Sequence, residues 1–348
     1  MTRDPSDRAH SRQIHGEEAL IAEFWAPLAA GFSGAFELKD DCALLAPPGG
    51  AELVVTTDAV IAGVHFFPDE HPAAIAWKAL AVNISDLVAK GAAPLAYLMS
   101  AAFPAAPDRI WLREFTDGLR GAQEAFGCQL AGGDTDRTPG PLSVSITAFG
   151  LVPAGGMVRR ATAQPGDLVY VSGTIGDAAL GLAIRRDPAM RDRCGLADDA
   201  SRYFDGKFSR PHPPVALVPI LRACASAAMD VSDGLIKDFD RLCRASVVGG
   251  RIEGSRVPLS DAAGAVLAAG GVSHVDLMTG GEDYEVLTTV PPERASEFER
   301  RASEAGTRVT CVGDITQAAT GVIATDATGE VIVSPKTGWD HFQTSDVA

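Results

Sequence analysis

Aspartates recur among glycines and hydroxyl residues in five short segments: Asp40-Asp41, Thr56-Thr57-Asp58, Asn83-Ile84-Ser85-Asp86, Gly132-Gly133-Asp134-Thr135-Asp136 and Asp230-Val231-Ser232-Asp233-Gly234. Each stands beside an apolar run, which predicts carboxylates at the ends of buried strands and helices. A carboxylate in such a place carries a desolvation cost that a cation or several hydrogen bonds must offset. One such aspartate is a turn or a helix cap. Five are better explained by several hard cations that take oxygen ligands and bridge to phosphate. The string from Asp230 is the most distinctive, because Asp230 ends a strand while Ser232 and Asp233 open a helix whose free N–H groups suit a phosphate. A simple capping arrangement is the alternative reading of the same string.

The surrounding pattern supplies elements to hold these groups. Leu20, Ile21, Phe24, Trp25 and Leu28 recur at helical spacing and predict an amphipathic helix over 17–28. A short β-prone run, 53–57, delivers Thr56, Thr57 and Asp58 at its end, and Asp40-Asp41 stands where a loop enters an expected strand at 42–45. A long helix is expected over 72–90, opened by a proline, and its i, i+3 spacing turns Asn83 and Asp86 to one face. Strands are expected at 95–103 and 143–151, with an amphipathic helix over 108–126 between them. Gly132-Gly133 reads either as a close backbone approach to a ligand or as an ordinary turn. A second unit begins near Pro153, with a strand at 167–172, another ending at Asp230, a helix over 232–244 capped by Ser232 or Asp233, and a strand at 284–290. Gly280-Gly281-Glu282-Asp283-Tyr284-Glu285 is a further glycine-led acidic turn, whose carboxylates suit a metal or an organic cation. His65, beside Phe66 and Phe67, is structural or a hydrogen-bonding imidazole, and Arg159-Arg160 is a solvated pair or reaches nucleotide phosphates.

Composition narrows the classes. A chain of 348 residues with 46% hydrophobic and 22% charged residues is long enough for two cores. Thirty Lys and Arg against 45 Asp and Glu give a net charge of −15, the wrong sign for holding nucleic acid. The six cysteines are scattered without a C-x-x-C pair, as expected for thiols in a reducing cytoplasm. Residues 1–15 are polar and carry no apolar export segment, and the apolar stretch 92–107 is broken by prolines, so no membrane segment is expected. Neither a G-x-x-x-x-G-K-[ST] phosphate loop nor the protein-kinase motifs occur. The pattern as a whole is α/β or α+β.

Taken in order, Asp40-Asp41-Cys42-Ala43-Leu44-Leu45, Thr57-Asp58 with Gly63-Val64-His65-Phe66, the run from Lys78 to Asp86, Gly132-Gly133-Asp134-Thr135, Pro165-Gly166-Asp167, Asp230-Val231-Ser232-Asp233-Gly234-Leu235, Gly280 to Glu285 and Gly338-Trp339-Asp340-His341-Phe342 resemble the thiamine-monophosphate kinases. The resemblance spans almost the whole chain. It implies a two-domain fold like that of aminoimidazole ribonucleotide synthetase, with a polar tail at 1–15, an N-terminal domain at 16–152, and a larger mixed α/β domain at 153–348. It also implies a homodimer built by pairing the N-terminal sheets. Carried over by position, Asp41, Thr56, Thr57, Asp58, Asp86, Asp134, Asp230 and Asp233 would bind several Mg²⁺ ions. Asp134, Arg160 and Ser232 would meet ATP, and His65, Glu282 and Trp339 would meet thiamine monophosphate. The sequence departs from the family pattern in three places: Glu37-Leu38-Lys39 stands where glycines usually lead into the acidic pair, Asp136 stands where a hydroxyl residue is common, and Trp339 stands where tyrosine is frequent.

The implied reaction moves the γ-phosphoryl group of ATP onto thiamine monophosphate in the last step of thiamine diphosphate biosynthesis, with no protein base assigned. Two enzymes of the same superfamily compete with this reading. A selenophosphate synthetase would use a reactive cysteine before Asp40, and a hydrogenase-maturation dehydratase would carry a C-terminal cysteine; the sequence has neither. A non-catalytic sensor of the same ligands is the reading from a different class.

Overall fold

The structure, a computed structural model, describes residues 17–40 and 42–332. The chain divides into two compact units, one containing residues up to 87 together with 92–155, the other residues 88–91 together with those from 156 onward.

Among the described residues of the first unit, four strands form one sheet in the order β1–β4–β2–β3: β1 (Ala51–Ile61), β2 (Ala93–Phe103), β3 (Gln129–Arg137) and β4 (Ser143–Pro153). β4 runs antiparallel to both β1 and β2, while β2 and β3 are parallel. Along β4, Val144, Ile146, Ala148 and Val152 are buried and the residues between them are half-exposed, the period of a sheet with one covered face. Helix α1 (Pro72–Ala89) links β1 to β2, and α2 (Arg109–Phe126) links β2 to β3. The Asp108 side chain caps α2 by accepting from Ile110 N, and Gly127 ends it in the left-handed conformation. α1 is apolar almost all round, long enough to cross a membrane by length and composition, yet 83% of it is buried within the protein, as in a core helix.

β1 is longer than the sequence suggests. It forms an unbroken ladder with β4 from Ala51 opposite Pro153 to Ile61 opposite Ser143, so Thr56, Thr57 and Asp58 lie mid-strand, not at its end. Gly132 and Gly133 are also inside a strand and make no turn. Residues 42–45 form no strand; Leu44 N–H instead donates to Gly34 O, closing a loop. The N-terminal helix is interrupted by a π turn, Ile21–Trp25, between Glu17–Leu20 and Ala26–Ala29.

Among the described residues of the second unit, six strands form a mixed sheet in the order β10–β7–β9–β5–β8–β6. They are β5 (Leu168–Ser172), β6 (Ala227–Val231), β7 (Gly249–Glu253), β8 (Glu285–Val290), β9 (Val309–Thr316) and β10 (Val322–Thr325). Every residue of β6 and β8 is buried, including the polar Asp230, Glu285, Thr288 and Thr289. The longer helices are α3 (Asp177–Arg186), α4 (Asp198–Ser209), α5 (Leu235–Ser246) and α6 (Pro292–Glu304). α5 packs Leu235, Phe239 and Leu242 into the core with Val171, Val231 and Leu287.

Candidate functional site

In the first unit, alternation along β1 turns Thr56 and Asp58 to the face that α1 covers and Thr57 to the other. Asn83 and Asp86 lie together on α1, as their spacing predicts, and both reach β1. Thr56 Oγ1 donates to Asp86 Oδ2 at 2.5 Å, and Asp58 N–H donates to Asn83 Oδ1 at 2.9 Å. The Asn83 amide is oriented by its own donation to Ala79 O at 3.0 Å, which suits a fully buried side chain. The Thr56 hydroxyl and the Asp86 carboxylate are hard oxygens of the kind Mg²⁺ takes, whereas Asn83 Oδ1 is engaged by the Asp58 N–H.

Thr57 stands opposite Thr147 on the other face, and Thr147 Oγ1 donates to Thr57 Oγ1 at 3.1 Å. The same face continues across the sheet through Ser145 and Ser100 to Asp134, which lie side by side in register. There Asp134 lines a cavity of about 730 Å³ together with Trp25, Asp40, Ser100 and Thr147. Asp134 Oδ1 accepts from Thr135 N–H, and Trp25 Nε1 donates to Thr135 Oγ1 at 3.0 Å. The glycine before it is required sterically: a Cβ on Gly133 would lie 1.8 Å from the Met99 carbonyl oxygen.

His65 lies in the turn after β1. Its Nδ1 accepts from Ile61 N–H at 3.1 Å, so a neutral ring carries its proton on Nε2. Lys78, only 1% exposed on α1, donates to the His65 carbonyl at 2.8 Å.

In the second unit, Asp230 is 8% exposed at the end of β6. α5 begins at Leu235, and neither Ser232 nor Asp233 caps it. Their backbone N–H groups both donate to Asp238 Oδ2, at 3.0 and 2.9 Å, so these two donors are engaged by a carboxylate of the chain itself. Asp238 is fully buried, and burial pushes its carboxyl up to about 6; the Asp233 N–H and Arg241 pull the other way, while the Asp233 charge adds to the rise. Sequence reasoning missed Asp238, although an acid on the apolar stripe between Leu235, Phe239 and Leu242 was the available signal. Asp233 is paired with Arg241 at 2.6 Å and Lys237 at 3.3 Å, so a metal there competes with two cations.

The glycine-led turn closes on this strand end. Glu282 N–H donates to Ser232 O and Tyr284 N–H to Val231 O, both at 2.8 Å. Arg160 is exposed, and its carbonyl accepts from Ser246 Oγ at the end of α5. Asp41 and Trp339, with the motif from Gly338 to Phe342, lie outside the described residues. Among the described residues, no three His, Cys, Asp or Glu side chains gather closely enough to hold a metal by themselves. The structure thus brings Thr56, Asp58, Asn83 and Asp86 together in one place and Ser232 and Glu282 in another.

Both units match models of the AIR synthase-related class. Residues 39–152 match AIR synthase related protein, N-terminal domain, and residues 164–325 match AIR synthase related protein, C-terminal domain. Within that class the chain is 38% identical over 339 residues to a thiamine-monophosphate kinase of Escherichia coli (strain K12), covering 94% of this chain and 99% of the relative. The chain belongs to the family of thiamine-monophosphate kinases. The solved thiamine-monophosphate kinase from Stenotrophomonas maltophilia K279a is 36% identical with a TM-score of 0.75, covering 85% of this chain and 91% of that one. A second solved structure, AaThiL complexed with AMPPCP and TMP, is 27% identical with a TM-score of 0.74, covering 94% and 99%.

Proposed function

We propose that the protein transfers the γ-phosphoryl group of ATP directly, in line, to the phosphate of thiamine monophosphate, giving thiamine diphosphate and ADP. The observation that carries this reading is the likeness over 94% of the chain to a solved relative complexed with AMPPCP, an ATP analogue, and TMP. Both reactants are polyanions, and an acidic chain with 30 Lys and Arg against 45 Asp and Glu needs other cations to bring them together. Several Mg²⁺ ions, when bound, would neutralise the phosphates and favour the developing charge on the attacking and leaving oxygens. Asp41, Thr56, Thr57, Asp58, Asp86, Asp134, Asp230 and Asp233 are the residues assigned to hold them.

On the ATP side, Asp134, Arg160 and Ser232 orient the nucleotide. On the acceptor side, the Nε2–H of His65 donates to the phosphate, the Glu282 carboxylate faces the cationic heterocycle, and Trp339 offers an aromatic face to it. The phosphate monoester has a second pKa of about 6 and attacks without a protein base. The partially uncovered face of β1, where Val55 is 56% exposed, supports a homodimer formed by pairing of N-terminal sheets. Cysteines that are all free among those described accord with action in the cytoplasm.

Incubation of the protein with ATP, Mg²⁺ and thiamine monophosphate, followed by chromatography, tests the reading. Thiamine diphosphate is expected from the monophosphate alone, with free thiamine and aminoimidazole precursors unreactive. ATP binding without product would overturn the kinase assignment in favour of a sensor.

A further inference from the structure

The loop from Gly280 to Tyr284 is gripped from two sides. Toward the end of β6, Glu282 and Tyr284 donate their N–H groups to Ser232 O and Val231 O, and Gly281 approaches so closely that a Cβ would lie 2.4 Å from Ser232 O. Toward α3, both carboxylate oxygens of Asp283 accept from Gly176 N–H at 3.0 Å, and a Cβ on Gly280 would lie 2.3 Å from the Ala179 methyl. Between these grips the backbone is left-handed at Glu282 (φ 74°) and Tyr284 (φ 51°). Residues with a Cβ avoid that region, and they persist in it only where the surroundings over-determine the conformation, most often at functional sites.

We propose that Asp283 is a positioning residue for substrate: its carboxylate, seated on the Gly176 N–H, holds the loop in the left-handed form that fixes Glu282 beside Ser232. The inference rests on the reading above that Glu282 meets thiamine monophosphate. Asp283 acts through the loop, its carboxylate oxygens being taken by the Gly176 N–H. Its side chain turns the opposite way from the strand end and converts the start of α3 into a fixed abutment for the loop. The environment of the carboxyl agrees with an inward, structural anchor: burial pushes its pKa well above the carboxylate range, with Asp177 and Glu285 adding to the rise and the Gly176 and Ala178 N–H groups opposing it. What the anchor requires is an acceptor oxygen at that point, which an amide also provides.

The test compares Asp283→Ala with Asp283→Asn in steady-state kinetics, varying each substrate in turn. Loss of the acceptor in Asp283→Ala is expected to raise KM for thiamine monophosphate about tenfold or more while KM for ATP and kcat stay within about threefold. Asp283→Asn, which keeps the oxygen, is expected to restore KM to within about threefold of the parent. A residue that merely supports the fold would lower the melting temperature and leave KM unchanged, and that result overturns the proposal. If Asp283→Ala is not recovered folded, Asp283→Ser, too short to reach Gly176, carries the same expectation. Glu282→Ala separates the two ideas: an unchanged KM there removes the reading of Glu282, whereas a raised KM there with an unchanged KM in Asp283→Ala defeats the anchor alone.

Discussion

Thr56 and Asp86 lie 30 residues apart in sequence, yet the threonine hydroxyl meets the aspartate carboxylate at 2.5 Å, tying the middle of β1 to α1. The contact orients one carboxylate oxygen and leaves the other for a cation. Thr56→Val keeps the volume and removes the donor. It is expected to raise the Mg²⁺ concentration for half-maximal activity about tenfold with little change in saturated turnover. A Mg²⁺ titration of activity decides it; an unchanged midpoint removes Thr56 from the metal site.

Asp86→Asn and Asp230→Asn each replace a carboxylate assigned to the proposed metal site by a neutral amide of the same shape. Both are expected to lower turnover by orders of magnitude while circular dichroism and melting temperature remain near the parent values. Near-normal turnover in both would rule out the metal assignment.

Gly133 is pressed against the Met99 carbonyl, where a Cβ would sit at 1.8 Å. Gly133→Ala must therefore push β3 away from β2 and carry Asp134 with it. A loss of stability of at least about 2 kcal/mol is expected, together with weaker ATP binding. Urea unfolding and nucleotide titration of the same variant measure the two effects.

Three consecutive residues with side chains, Phe36, Glu37 and Leu38, are left-handed at φ 49°, 57° and 57°. Such a conformation disfavours residues with a Cβ and costs glycine nothing. Glu37→Gly is expected to raise the melting temperature by about 2 °C, the gain being reduced by the extra freedom of glycine in the unfolded chain. A lower melting temperature would show that the loop is not strained.

His212 is held below its usual 6.5 by burial first and by the charges of Arg210 and Lys207. Because the folded value is depressed, the unfolded chain binds the proton more readily below 6.5. Stability is therefore full above that pH and is lost as pH falls through the folded value. His212→Gln should flatten this acid-side decline. Urea midpoints compared from about pH 7.5 to about pH 5.5 are the measurement, and parallel curves for the two proteins would exclude the histidine.

Local pattern carried α1 and α2 well, because helical spacing depends only on nearby residues, and it also placed Asn83 and Asp86 on one face. Mid-strand placement of Thr56 to Asp58 depends on pairing with β4, some ninety residues later; local pattern finds β4 itself but not its register against β1. The role of Gly133 depends on a carbonyl in β2, and the Ser232 and Asp233 N–H groups, expected to be free for a phosphate, are taken by Asp238 six and five residues on. Residues 42–45 looked like a strand by composition, but their polar backbone turns to Gly34 and forms a loop. The left-handed run at 36–38 has no sequence signature, since its residues are ones that ordinarily avoid that region.

The order β10–β7–β9–β5–β8–β6 puts β9 in the middle of its sheet although it is ninth in the chain. Without Val309–Thr316, β7 and β10 lose their connection to β5, β8 and β6. During synthesis β7 must therefore wait without a partner, apart from the β5–β8–β6 ribbon, until the ribosome has extruded residues beyond 316. The first sheet closes with residues 51–153 alone and is complete far earlier. A nascent chain stalled between these two points pairs a finished sheet with an unfinished one that still bares its strand edges.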